Sequence, residues 1–300
     1  MIQLHNVTKK YGALTAVEDI SFNAQKGSIY GLVGYNGAGK TTLIKTMAGI
    51  FHPDRGNVTA GGSDVFDNAG YHRKMFFVPD EPYFAPQASL DDMRRVYKGY
   101  YPDWSDKTYA KLAKLFRLER RLKINGFSKG MLRQAAILLA LATRPAYLLM
   151  DEAFDGLDLS KRNLLRTLLR QYARKTDAVL VMSSHNLLEL EGFADRIAIL
   201  RDRHITFEGT VEKMRQSIAK YRVEFAAIPE TDVLRGLGFT DIRQLGDKTV
   251  TFLHRCADVE FPLDRLKTLG AHDISPLPVT LEEFFLEETD VEEYTFDEIF

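Results

Sequence analysis

The chain has 300 residues, which suits two or three domains, and its 45% apolar and 27% charged content excludes a disordered polyelectrolyte. Its formal charge is −1, yet residues 281–300 hold nine acidic residues and no Lys or Arg. The −1 total by itself excludes a nucleic-acid binder driven by global charge, but it hides an imbalance: the remaining 280 residues carry 40 basic against 32 acidic side chains, a +8 body with a −9 tail.

Residues 2–22 alternate apolar and polar side chains around a turn at Tyr11-Gly12, the pattern of two antiparallel strands. Residues 28–33 form a short apolar run leading into a glycine-rich turn, and residues 41–50 read as a helix stopped by His52-Pro53. Residues 57–62 suggest another hairpin edge. Ser89 is placed to cap a helix towards Tyr101, with Asp91 and Asp92 in its first turn. Ser105 or Asp106 caps a second helix through Leu118, with Tyr109, Leu112 and Phe116 along one side. A third helix, over 131–142, is apolar nearly all round and therefore expected to be buried.

The apolar runs 147–150 and 179–182 read as strands joined by a helix over 160–175, a crossover that makes a parallel sheet. Beyond Ile218 the pattern changes to a strand at 221–227 and a helix at 230–237, then a hairpin of 241–245 and 249–254 across Gly246-Asp247. A helix at 263–269 and a strand at 272–274 complete a β-α-β-β-α-β, ferredoxin-like order. The single Cys256 cannot form an internal disulfide, which points to a reducing compartment. No apolar run approaches the length of a membrane span, and Met1-Ile2-Gln3-Leu4-His5 does not open a secretory signal, so a cytosolic chain is expected.

Gly34-Tyr35-Asn36-Gly37-Ala38-Gly39-Lys40-Thr41-Thr42 satisfies the phosphate-loop pattern G-x-x-x-x-G-K-[ST], after a strand and at a helix start. Glycines let successive N–H groups point inward at phosphate oxygens, and the helix dipole adds favourable charge. Lys40 would reach the β- and γ-phosphates of ATP and the Thr41 hydroxyl would ligate Mg²⁺. Tyr147-Leu148-Leu149-Met150-Asp151-Glu152 adds two carboxylates at a strand's carboxyl end, where open α/β sheets bind ligands. Asp151 would hold the metal and Glu152 would act as base for the attacking water.

Phe127-Ser128-Lys129-Gly130-Met131, ending its match twenty-one residues before Asp151 at Gly130, resembles the LSGGQ signature of ATP-binding cassette (ABC) ATPases. Ser128 and Gly130 are its retained positions, and the resemblance implies that they meet ATP held by an opposing subunit in a head-to-tail dimer. Tyr11 matches the aromatic that stacks on adenine, Asp158 the aspartate of the D-loop in Asp155-Gly156-Leu157-Asp158, and His185 the switch histidine that senses the γ-phosphate. The resemblance covers residues 1–215. It departs from the family at Asp80, where Gln is usual and where Asp could ligate Mg²⁺, at Lys129 and Met131 within the signature, and at Ala153 in place of Pro.

The implied fold is α/β: a RecA-like P-loop NTPase core with an antiparallel β-subdomain and a helical insertion at about 88–142. An ABC ATPase domain would span 1–218, a small accessory α+β domain 219–280, and an acidic tail 281–300. The signature and the C-terminal extension, including Val279-Thr280-Leu281-Glu282-Glu283-Phe284-Phe285, resemble subunits of bacterial drug, peptide and ion exporters. That reading implies a second nucleotide-binding subunit and a separate integral-membrane permease. It places the chain in the cytoplasm, peripheral to the inner face of the cell membrane. Asp80 and the helical insertion would form the docking surface. A soluble ABC ATPase acting on ribosomes or nucleic acid is the alternative. Against it, one cassette is present, and Phe127 follows Gly39 by 88 positions, too few for a long coiled coil. A regulatory ATP-binding subunit without efficient turnover is a third reading, hinging on Asp80. No nucleic-acid partner is expected, and the basic cluster in residues 117–123 reads first as a solvated helix end.

Overall fold

The computed structural model describes residues 1–256, 261–280 and 283–284. Two compact units divide the chain, Met1–Glu208 and the segment from Gly209 onward. The division falls ten residues before the boundary expected at 218, because the helix at 211–217 belongs with the strands that follow it.

Strands β1 (Ile2–Tyr11) and β2 (Leu14–Ala24) pair antiparallel, and β3 (Ile29–Val33) leads into helix α1 (Lys40–Met47). Helix α1 ends three residues earlier than the sequence pattern suggests. Gly49 N–H turns back to Thr46 O and Ile50 N–H to Lys45 O, closing the last turn. Strands β4 (Arg55–Ala60) and β5 (Ser63–Asp64), helix α2 (Ala69–His72) and strand β6 (Met75–Val78) follow.

Three helices then intervene: α3 (Leu90–Tyr100), α4 (Asp106–Leu115) and α5 (Lys129–Ala142). Ser89 and Asp92 form a reciprocal capping box at the start of α3, and Ser105, not Asp106, accepts the Thr108 N–H to cap α4. Helix α4 stops short of Leu118 because Arg117 turns left-handed (φ 55°) and Leu118 N–H reaches back to Ala113 O. Strand β7 (Tyr147–Met150), helix α6 (Leu159–Thr176), strand β8 (Val179–Ser184), helix α7 (Leu187–Leu190) and strands β9 (Arg196–Arg201) and β10 (His204–Gly209) complete this part.

A four-stranded sheet has the order β2-β1-β4-β5, and a six-stranded sheet the order β10-β9-β3-β8-β7-β6. In the larger sheet β3, β6, β7, β8 and β9 run parallel, and their near-continuous burial matches their uninterrupted apolar runs. Leu4 and Val58 of the antiparallel sheet, Leu43 and Met47 of α1, and Leu149 and Val181 of the parallel sheet share one core. Each such side chain contributes about 1.5–3 kcal/mol by leaving water. That core fixes α1, and with it the loop before α1, against the ends of the parallel strands.

In the second unit, helix α8 (Val211–Ser217) precedes strand β11 (Ile218–Phe225), helix α9 (Thr231–Arg235), strands β12 (Phe239–Gln244) and β13 (Thr249–Arg255), helix α10 (Leu263–Thr268) and strand β14 (Ala271–Leu277). The sheet order is β12-β13-β11-β14, every pair antiparallel, over a core of Val223, Phe225, Leu234, Phe239, Phe252 and Leu266. Glu283 accepts from Lys220 Nζ, and Phe284 is buried. The rest of the acidic tail lies outside the described residues. Among the described residues no helix is long and apolar enough to cross a membrane.

The helical insertion has one charged knot. Asp106 accepts from Arg94 Nε (2.7 Å), Lys98 Nζ (2.9 Å) and Trp104 Nε1 (2.7 Å), and these donors, Arg94 first, hold its carboxyl well below the usual aspartate pKa. A depressed folded pKa means the stabilisation is fully present above the ordinary aspartate value of about 3.9 and is lost as pH falls towards the folded value. Urea midpoints measured from pH 7 down to about 3 should therefore fall more steeply for the natural chain than for Asp106→Asn.

Candidate active site

Strands β3, β7 and β8 are laid in parallel register, with Val33 opposite Ser184 and Met150 opposite Met182. The segments that follow them emerge side by side at one edge of the sheet: the loop before α1, Asp151-Glu152, and His185. This is the edge where open parallel sheets bind ligands.

Gly39 caps α1 with φ 104°, and a Cβ there would meet Ala16 O at 2.5 Å, so only glycine fits. No side chain caps α1 and its first turn holds no acidic residue, which leaves its leading N–H groups for an anion. Lys40 Nζ donates to Gly34 O (2.6 Å) and Tyr35 O (3.1 Å) and lies 3.5 Å from Glu152 Oε1. Burial lowers the Lys40 pKa, while Glu152 and Asp151 act in the opposite direction.

Asp151 is buried and engaged on both oxygens. Thr41 Oγ1 donates to Oδ2 at 2.7 Å, and the Ser183 hydroxyl donates to Oδ1. Ser183 Oγ also accepts the Glu152 N–H at 3.0 Å. Glu152 sits in the left-handed region (φ 47°), a conformation that costs a non-glycine residue about 1–3 kcal/mol and persists where its surroundings enforce it. Here the enforcing partners are Ser183 and His185. The His185 N–H donates to Glu152 Oε2 at 3.3 Å, and its Nδ1 lies 2.9 Å from the same oxygen. Lys40, Thr41, Asp151, Glu152 and His185 thus form one continuous cluster.

Asp80 joins that cluster through a residue that sequence reasoning passed over. Arg133 of α5 is 1% exposed, and its Nη2 donates to Asp80 Oδ1 at 2.9 Å and to Asp80 O at 2.5 Å. Its Nη1 donates to Pro79 O (2.8 Å) and Asp151 O (3.4 Å). Ser183 was also unassigned. Both are polar residues inside buried apolar segments, and that interruption was their available signal.

The other expected residues occupy different surroundings. Ser128 caps α5 by accepting the Met131 N–H (3.3 Å). Lys129 donates to Asp155 at 2.7 Å, and that bond holds the Asp155 carboxyl below its ordinary pKa. Gly130 packs where a Cβ would lie 3.0 Å from Gly156 O. Asp158 caps α6 by accepting the Lys161 N–H at 2.9 Å, which lowers its pKa. None of these four makes a contact with the phosphate loop among the described hydrogen bonds. Tyr11 packs edge-on to Phe51 with centroids 5.8 Å apart, and its hydroxyl lies 3.4 Å from Thr42 Oγ1. Asn36, Gly37 and Ala38 complete the loop, with Ala38 N–H donating to Tyr35 O. Among the described residues no group of three His, Cys, Asp or Glu side chains could hold a metal ion unaided.

The ABC transporter family model matches residues 17–155. The linearmycin resistance ATP-binding protein LnrL of Bacillus subtilis (strain 168) is 34% identical over 217 residues, covering 70% of this chain and 69% of that one. The chain belongs to the ABC transporter family. Within that family it is an ATP-binding ATPase cassette. The ABC transporter ATP-binding protein YtrB of the same organism is 27% identical over 289 residues, 95% of this chain and 97% of that protein. A solved ATP-binding subunit of an ABC transporter is 29% identical and superimposes with a TM-score of 0.65, over 72% of this chain and 92% of that one.

Ser183→Ala should expose how this ABC cassette holds its carboxylates. Loss of the hydroxyl strands the Glu152 N–H and one Asp151 oxygen, a cost of about 1–3 kcal/mol. Thermal unfolding should shift down and ATP turnover should fall together; unchanged turnover would show that Asp151 and Glu152 are placed without Ser183.

Proposed function

We propose that this chain is the ATP-hydrolysing subunit of an exporter, driving a separate integral-membrane permease from the inner face of the cell membrane. The observation that carries this reading is the cluster of Lys40, Thr41, Asp151, Glu152 and His185 at the carboxyl ends of three parallel strands. The export direction draws support from a relative named Nod factor export ATP-binding protein I, of Burkholderia orbicola (strain AU 1054), 31% identical over 222 residues.

The triphosphate of ATP would lie in the loop of Gly34, Asn36, Gly37, Ala38 and Gly39, against the N–H groups that open α1, with Thr42 beside it. Tyr11 would turn its half-exposed ring to the adenine. Lys40 would exchange the carbonyls of Gly34 and Tyr35 for β- and γ-phosphate oxygens, a stronger, charge-assisted bond. Thr41 and Asp151, 2.7 Å apart, present the hard oxygen donors that Mg²⁺ takes alongside phosphates, and Asp80, tied to Asp151 through Arg133, would serve its water shell. Bound there, Mg²⁺ would neutralise charge developing on the phosphates.

Glu152 then acts as base. Its carboxylate takes a proton from water as the water oxygen bonds to the γ-phosphorus, and the bond from that phosphorus to the β,γ-bridging oxygen breaks to leave ADP. His185, beside Glu152 Oε2, orients the carboxylate and can donate to a γ-phosphate oxygen. Lys40 offsets the negative charge of both groups. Ser128, Gly130 and Asp158, whose hydrogen bonds and packing contacts lie elsewhere in their own chain, would serve ATP held by a second nucleotide-binding subunit.

Permease docking is assigned to the apolar cleft of about 260 Å³ bounded by Val78, Pro79, Pro82, Tyr83, Phe84 and Tyr97. Exposed Tyr83 and the helical insertion form its rim. The β-α-β-β-α-β unit from Ile218 onward would be a ferredoxin-like accessory domain.

Glu152→Gln should cut phosphate release about 10²-fold or more and trap an ATP-bound dimer in size-exclusion chromatography; wild-type turnover would remove Glu152 as the base. Gentle solubilisation of membranes with the tagged chain should recover an integral membrane protein. Recovery with ribosomes or nucleic acid alone would overturn the exporter assignment.

A further inference from the structure

We infer that Arg133 is a positioning residue for ATP turnover: one guanidinium ties the segment after β6, the carboxylate segment after β7 and the signature helix α5 into a single unit, and it cancels the charge of Asp80. This rests on the ATPase reading of the site and extends it to a residue outside every motif.

The geometry is specific. Pro79-Asp80 directly follows β6 and Asp151 directly follows β7, and those strands are parallel neighbours with Val78 opposite Met150. The Asp151 N–H donates to Val78 O at 2.8 Å, so the two strand ends are already joined by backbone. Arg133 closes the same junction from the α5 side with four donor contacts, three to carbonyls and one to a carboxylate. Its Nε has no partner, so the bonding is concentrated at the fork that faces the two strand ends. Immersing a guanidinium among the apolar residues 135–142 costs several kcal/mol unless its hydrogen bonds are well made. An apolar side chain would serve packing alone. The arginine is accounted for by what its fork holds.

Charge acts through the same fork. An aspartate beside a bound triphosphate adds repulsion and cannot donate as an amide can. Asp80 is 48% exposed while its partner is fully buried, so the pair sits at the boundary between core and site. Arg133 neutralises Asp80 and, by donating to Asp151 O, transmits any displacement of Asp80 to the residue bonded to Thr41. Movement of α5, which carries Ser128 and Gly130, reaches Asp151 by the same fork. The bidentate shape matters as well as the charge, because an ammonium cannot span two strand ends.

Three variants test this with three readouts: kcat, the KM for ATP, and the dissociation constant of trinitrophenyl-ATP measured without turnover. Arg133→Lys keeps the charge and loses the fork. Its nucleotide affinity should stay within about twofold while kcat falls about tenfold or more, since misplacement of about 1 Å costs up to 10²-fold. Arg133→Met leaves Asp80 uncompensated and should weaken nucleotide binding as well. Asp80→Asn in the Arg133→Met background should restore binding but not kcat. Should Arg133→Met fail to fold, Arg133→Lys still decides the matter through its split of kcat from affinity. Folded variants with wild-type kcat, or losses in kcat that track thermal stability with no split from affinity, would overturn the inference. A natural chain that hydrolyses no ATP would instead overturn the ATPase reading, so the two failures are distinguishable.

Discussion

Asp151 is gripped from two sides, by the Thr41 hydroxyl on one oxygen and the Ser183 hydroxyl on the other. A buried carboxylate is tolerated only when its oxygens are satisfied. The two donors come from segments far apart in sequence, one at the start of α1 and one at the end of β8. They meet because β3, β7 and β8 are parallel and in register, and because the shared core seats α1 against those strands. The remaining chemistry hangs from this grip. Glu152 follows Asp151 and is turned left-handed towards Lys40 and His185, while Ser183 holds its backbone N–H.

Electrostatically the site balances two opposite demands. A nucleotide's phosphates need positive charge and free N–H groups, whereas activation of water needs a carboxylate nearby. In the proposed reaction Lys40, 3.5 Å from Glu152, would meet both, since each charge tempers the other while the loop's backbone donors remain available. Asp80 brings a further negative charge into the neighbourhood, and Arg133 answers it from within α5.

The strongest parts of the site were legible because their information is local. The phosphate loop, Asp151-Glu152 and His185 each follow an apolar run that could be read as a strand, and strand ends are where ligands bind. The helix caps at Ser89 and Ser105 were legible for the same reason. Strand β6 is not legible in the sequence because Met75–Val78 is only four residues long, too short for a period to show. Arg133 was hidden by its neighbours: in a helix apolar nearly all round, one arginine reads as an exception facing solvent. Only the three-dimensional meeting of β6 and β7 shows what it is for. Ser183 was hidden likewise, because a serine closing a strand reveals nothing of the two carboxylate residues it serves. The ends of α1 and α4 were overrun because local turn-back bonds, not apolar spacing, decide where a helix stops.

The aliphatic stem of Lys129 lies over Gly156, where a Cβ would meet Lys129 Cγ and Cδ at 3.1 and 3.0 Å, while its ammonium holds Asp155. Residues 129, 155 and 156 are thus packed as one unit. A side chain at 156 would strain its left-handed backbone (φ 73°) and push the lysine stem aside by a few tenths of an ångström. Shortening residue 129 would leave Asp155 without its cation, yet position 156 would still need glycine for that backbone. A change at residue 129 is therefore felt at 155, through the ion pair that joins the start of α5 to the loop before α6.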